Sequence, residues 1–167
     1  MNNNTLYPLL VNEIKVRLLD EGIFRLRQCT KDLSLSAINH QWNGNTLSVA
    51  QSIIHLNGNV RQWLFEHLLG QANTRQRSKE FSHSANSKEE LLAVLNRLEK
   101  DINDSLPLLL KLAPYKNITI QGIENTTVSA IVHVIEHFSY HTGQVALLTK
   151  LAVNKDLGFY SDFKDLE

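Results

Sequence analysis

Residues 127 to 151 contain no proline and a single glycine, and they carry Val128, Ile131, Val132, Val134, Ile135, Val145, Leu147 and Leu148 near the helical period. A stretch of that length and pattern is a helix whose apolar face other elements must cover. The rest of the chain repeats the constraint. Seven Gly and three Pro in 167 residues leave too few breakers for a many-turned β fold. A first helical segment is expected from about Pro8 to Lys31, with Leu10, Ile14, Val16, Leu18, Ile23, Phe24 and Leu26 on its apolar side. A second runs from about Thr46 to Leu69, with Asn45 or Thr46 as N-cap and Gly70 just past its end. The third opens on Ser87-Lys88-Glu89-Glu90, a capping-box pattern, and continues through Leu91, Leu95, Leu98 and Ile102 until Pro107 ends or kinks it. Four helices and a 43% hydrophobic composition describe one all-α domain over residues 1–167.

The connections narrow the arrangement. Residues 71–86 (QANTRQRSKEFSHSAN) are polar and read as a surface crossing. Extended, they span about 50 Å, more than the roughly 36 Å of a 24-residue helix. The chain can therefore return to its starting end and leave the second and third helices parallel. An up-down-down-up four-helix bundle is allowed by this, though not forced. Residues 115–123 (YKNITIQGI) alternate Ile118 and Ile120 with polar residues, which predicts a short extended piece too isolated for a sheet. Asn2 to Asn4 read as a loose terminus.

Charge and cysteine count exclude several classes. Seventeen Lys+Arg balance seventeen Asp+Glu, which argues against a nucleic-acid partner, since such proteins carry a basic excess. No apolar run reaches the roughly 18 residues of a membrane span. The apolar stretch from Leu6 to Val11 is interrupted by Pro8 and followed by Glu13, Lys15 and Arg17, unlike a signal peptide. One Cys cannot form an internal disulfide, so a cytoplasmic location is expected.

The seven histidines carry the chemistry. His133, His137 and His141 recur at i, i+4 and i+8 on one face of the fourth helix, with Gln144 extending the stripe. On the second helix, Ser48, Ser52, His55, Asn59 and Gln62 form another polar stripe. Two such stripes on otherwise apolar helices suit a shared polar pocket. Neutral imidazoles at i and i+4, joined by a third from another helix, suit a divalent transition metal with open positions. Two registers fit helix four. His133-Val134-Ile135-Glu136-His137 is an H-x-x-E-H string, the inverted zinc-peptidase pattern. That class takes a further carboxylate from well downstream, where only Asp156, Asp162, Asp165 and Glu167 remain. In the other register His137 and His141 are the ligands and His133 lies one turn away.

A family resemblance favours the second register. Residues 52–63 (SIIHLNGNVRQW) resemble the helix-two motif of the DinB-like (damage-inducible B) superfamily, and residues 137–144 (HFSYHTGQ) resemble its helix-four motif. The pairing of H-L-x-G-N with H-x-x-Y-H-x-G-Q is more specific than either half, and the likeness extends over nearly the whole chain. It implies an up-down-down-up four-helix bundle, often dimeric, with a metal held by three His. Placed on this chain, those ligands are His55, His137 and His141. Thr142 stands where many relatives carry Arg, so a charge near the site is missing, and the string H-x-x-Y-H-T-G-Q marks a branch of its own.

The resemblance implies a divalent-metal-dependent enzyme, with Ni²⁺ or Zn²⁺ favoured by ligand type. Its activity would be that of a small-thiol S-transferase or a hydrolase on a small electrophile. A low-molecular-weight thiol is the co-substrate in the first case. The alternative is a stress-associated binding or structural bundle with a vestigial or structural metal. Catalytic residues beyond the ligands are not assigned, and Asn59, Glu136 and Gln144 are candidates to orient the ligands. Gly58 and Gly143 cost about 1 kcal/mol each inside a helix, which close helix approach or room for a ligand would offset. Cys29 reads as a buried apolar residue, Trp42 and Trp63 as core or pocket aromatics, and His40, His67 and His83 as surface or loop residues.

Overall fold

A computed structural model describes residues 6–72 and 75–161. The segments Leu6–Ile14, Lys15–Ile23 and Phe24–Asp32 join through helical dihedrals into one helix, α1 (6–32), whose middle third is π-wound. Helical spacing divides it cleanly. Ile14, Leu18, Ile23 and Leu26 are fully buried, while Glu13, Arg17, Glu21 and Arg25 form an i, i+4 ladder of ion pairs on the wet side. Gly22 sits where α1 meets the Phe138 ring, and a Cβ there would lie 2.6 Å from Phe138 Cε1. The missing side chain lets the two helices approach.

A short helix α2 (Leu35–Asn39) precedes α3, which comprises Val49–Val60 and a π-wound Arg61–Leu68. The N-cap of α3 is Ser48, not Asn45 or Thr46. Ser48 and Gln51 exchange a reciprocal capping box, whereas Thr46 is engaged with Asn43 in a turn of its own. Gly70, at φ +69°, follows the end of α3 as expected.

The connection after α3 is not merely a crossing: it contains a four-residue helix, α4 (Arg77–Glu80), and Glu80 is buried. Helix α5 (Lys88–Leu109) starts at Ser87, whose hydroxyl accepts the Glu90 amide. It runs through Pro107, which lies in the last turn, where one missing hydrogen bond is tolerated. The expected isolated extended piece is in fact half of a hairpin. Strands β1 (Asn117–Ile120) and β2 (Ile123–Thr126) pair antiparallel, Ile120 opposite Ile123, around Gln121 and Gly122, both at positive φ. Helix α6 (Thr127–Val153) follows at once, capped by Thr126 and Ser129 and closed by Asn154 in the left-handed region.

Helices make up 68% of the described residues, so the all-helical expectation holds roughly, with the hairpin as its exception. The long helices contact one another in the cyclic order α1, α6, α3, α5. Their shared core includes Ile53, Leu56, Leu91, Leu98, Ile131 and Phe138, each at most 1% exposed. Among the described residues no helix is long and apolar enough to cross a membrane. Asn2 to Asn4 and the carboxylates Asp162, Asp165 and Glu167 lie outside the described residues.

Candidate metal centre

The polar stripe on α3 faces inward. Ser48, Ser52, His55 and Asn59 are all at most 6% exposed. Helix α6 packs against α3 and brings its own histidines against them. His55 Nε2 lies 3.2 Å from His137 Nε2. The ring centroids of His55 and His141 are 4.9 Å apart, and those of His137 and His141 are 4.6 Å apart. One ligand atom from each of the three falls within 4.8 Å of the others.

His133 is not part of this cluster. Its ring stacks on Trp63 at 3.8 Å, one turn away, and Glu136 is exposed. The inverted-peptidase register therefore loses its first ligand and its carboxylate. Among the described residues Asp156 does not join the cluster either.

The protonation states favour ligation. Burial first, then the neighbouring His141, His55, His133 and Arg75, push His137 down to about 3. Burial and His55 push His141 down to about 4, partly offset by a hydrogen bond with Gln144. Both imidazoles are neutral at pH 7 and offer lone pairs.

His55 is set by a carboxylate. Its Nδ1 lies 2.9 Å from Glu80 Oε2, and an ionised carboxylate can only accept, so Nδ1 carries the proton and Nε2 presents its lone pair to His137. Arg75 Nη2 also comes within 3.5 Å of Nδ1. Two donors cannot share that contact, and the shorter, charge-assisted one to Glu80 prevails. Glu80 itself is clamped by Arg75, with Nε 2.6 Å from Oε1 and Nη2 2.8 Å from Oε2. Burial would raise its carboxyl, but hydrogen bonds and charge from Arg75 and His55 outweigh that and hold it below the usual range. Arg75 Nη1 and Gln121 Nε2 both donate to Gln62 Oε1, tying the connection, α3 and the hairpin turn together.

Sequence patterning missed Glu80 and Arg75 because they lie in a polar stretch without periodicity. The one large apolar residue there, Phe81, was the available signal: its ring lies 5.4 Å from that of His55. Of the candidate orienting residues, Gln144 lines the same cleft as His141, while Asn59 Oδ1 and His141 Nδ1 are buried without a partner among the described residues. Gly58 gives room to Glu80, but a Cβ on Gly143 would meet nothing within 4 Å, so close approach does not explain that glycine. Cys29 is buried and burial raises its thiol, in keeping with an inert packing residue.

The donor set fits a divalent ion. Metal–nitrogen bonds of about 2.0–2.1 Å put neighbouring ligand nitrogens about 2.9 to 3.4 Å apart, depending on the angle; the His55–His137 pair, at 3.2 Å, falls inside that range, and the His141 ligand atom lies within 4.8 Å of both. The carboxylate behind His55 is the usual support for a metal-binding imidazole.

The model of the family described as "Protein of unknown function (DUF1572)" matches residues 16–161. The chain belongs to that family. DUF1572 is related to the DinB-like group, and its match spans both His-bearing helices and the clamp residues Arg75 and Glu80. No curated protein and no solved structure gives a match.

Proposed function

We propose that this DUF1572 protein is a divalent-metal-dependent enzyme of the DinB-like class, a small-thiol S-transferase or hydrolase that acts on a small electrophile in the cytoplasm. The observation that carries the reading is the convergence of His55, His137 and His141, with ligand atoms within 4.8 Å of one another. A bound Zn²⁺ or Ni²⁺ lowers the pKa of a thiol or water enough to make a nucleophile near neutral pH. His55 is held in one tautomer by Glu80. Three neutral ligands leave the ion's charge uncompensated, which favours an anionic nucleophile.

The frame of the site is an up-down-down-up four-helix bundle that works as a homodimer. Support for the chain directions comes from contacts at the helix ends. Tyr7 Oη donates to the Leu109 carbonyl at 2.7 Å, and Lys88 Nζ donates to the Leu33 carbonyl at 3.0 Å. Asp32 pairs with Lys155. These contacts support α1 antiparallel to α5 and parallel to α6.

The test is an assay of the Zn²⁺- or Ni²⁺-loaded protein with a panel of small thiols and electrophiles. Metal-dependent turnover that disappears in His137→Ala is the expected result. Metal binding with no turnover across the panel would instead favour a structural metal, a reading for which Thr142 in place of a cation is the supporting observation.

A further inference from the structure

The two sides of the histidine cluster differ in kind. Behind His55 lies the charged clamp, with Arg75, Lys79 and Glu80 lining a recess that includes none of the three imidazoles. A second recess, lined by Arg61, Arg97 and Asp101, also excludes them. On the α6 side, a cleft of about 260 Å³ has His141 in its wall. Leu47, Tyr140, Gln144, Leu147 and Leu148 complete most of that wall, and no charged side chain lines it.

We infer that this cleft is the substrate pocket of the metal centre, and that it takes an uncharged small molecule with an apolar body. The inference rests on the metal-centre reading for its chemistry but on the cleft alone for its selectivity. Leu147 is 58% exposed and Tyr140 is 60% exposed, so both offer apolar surface that a ligand would cover. The Tyr140 ring stands edge-on to His141, centroids 5.1 Å apart, and marks the path from solvent to the cluster. Gln144 supplies an amide for one polar group on the ligand. An ionic ligand would surrender its hydration here and find no opposite charge among the side chains that line the cleft, a desolvation loss that a neutral one escapes. The volume falls below the roughly 300–1,000 Å³ of drug-sized sites, so a nucleotide-sized molecule is too large.

The experiment uses two probes that differ only in charge: benzyl mercaptan and 4-(mercaptomethyl)benzoate. Each is titrated anaerobically into the ¹⁵N-labelled full chain, both metal-free and Zn²⁺-loaded, with amide shifts as the readout. Benzyl mercaptan is expected to shift Leu47, Gln144 and Leu147 saturably, and to bind at least tenfold more tightly than the carboxylate. Leu147→Lys should weaken benzyl mercaptan at least fivefold and narrow the gap between the probes. Should that variant fail to fold, Tyr140→Ala, at an equally exposed position, replaces it with the same expected loss for the neutral probe. Equal or tighter binding of the carboxylate overturns the inference. So do shifts centred on Arg61 and Arg75, or no shift at all. Failure of the protein to take up Zn²⁺ would count against the metal centre only, because the preference between the probes is still read from the metal-free protein.

Discussion

A Cβ built on Gly58 would sit 2.1 Å from Glu80 Oε1. The glycine one turn after His55 is therefore the space into which the carboxylate that orients His55 is inserted. Glu80 cannot swing away cheaply, because Arg75 and His55 hold both of its oxygens. Helix propensity and site assembly oppose each other at this position.

Gly58→Ala resolves that opposition. Propensity alone would favour alanine by about 1 kcal/mol, whereas displacing a buried, paired carboxylate costs about 1–3 kcal/mol. The expected outcome is little change or a modest loss in stability by urea denaturation. Zn²⁺ affinity, measured by chelator competition, should fall about 10–100-fold. An unchanged affinity would mean that Glu80 does not support His55.

Glu80→Gln isolates charge from shape. The Arg75 side chain is 6% exposed and loses the carboxylate charge of Glu80, so a stability loss of up to about 3–5 kcal/mol is expected. Adding Arg75→Met should recover part of the stability by removing the buried guanidinium that Glu80 no longer neutralises. Metal affinity should stay low in the double variant, because the His55 tautomer is no longer held by a carboxylate. Recovery of both together would assign Glu80 a purely structural role.

The histidine spacing was legible in the sequence because ligand pairs at i, i+4 share the period of the helix that carries them, and the pairing of His55 with the α6 stripe followed from two polar stripes needing one pocket. Glu80 was hidden for the opposite reason. Its contact depends on how residues 75–80 fold back over α3, and nothing periodic marks that path. The hairpin was half-visible: Ile118 and Ile120 alternate in β1, but Ile-Glu-Asn-Thr in β2 does not, and only Gln121-Gly122 at the turn hinted at a partner. The N-cap of α3 fell among several polar residues, and the Asn43–Thr46 turn left Ser48 to take it.

His133 separates the two registers on α6. His55→Ala, His137→Ala and His141→Ala should each abolish stoichiometric metal in the purified protein by elemental analysis. His133→Ala should keep it and lose about 0.5–1.5 kcal/mol of stability with the Trp63 stack. Loss of metal in His133→Ala alone would revive the inverted arrangement with Glu136.

His137 and His141 set the acid response of the metal-free protein. In the folded state they titrate at about 3 and about 4, but in the unfolded chain near 6.5. Between those values the unfolded state binds protons that the folded state refuses. Stability is therefore complete above about pH 6.5 and declines as pH falls, by up to about 1.4 kcal/mol per pH unit for each imidazole. The decline stops near pH 4 for His141 and near pH 3 for His137, where the folded state protonates too. Urea midpoints at pH 7, 6 and 5 should fall steadily in the wild type and less in a His137→Gln, His141→Gln double variant, which retains the acid response of the carboxylates. Saturating Zn²⁺ should raise wild-type stability across pH 5–7 without steepening the slope that His137 and His141 set, since their nitrogens are already free of protons in the folded state there. Matching slopes in the wild type and the double variant would show that the two imidazoles are not held neutral by the fold.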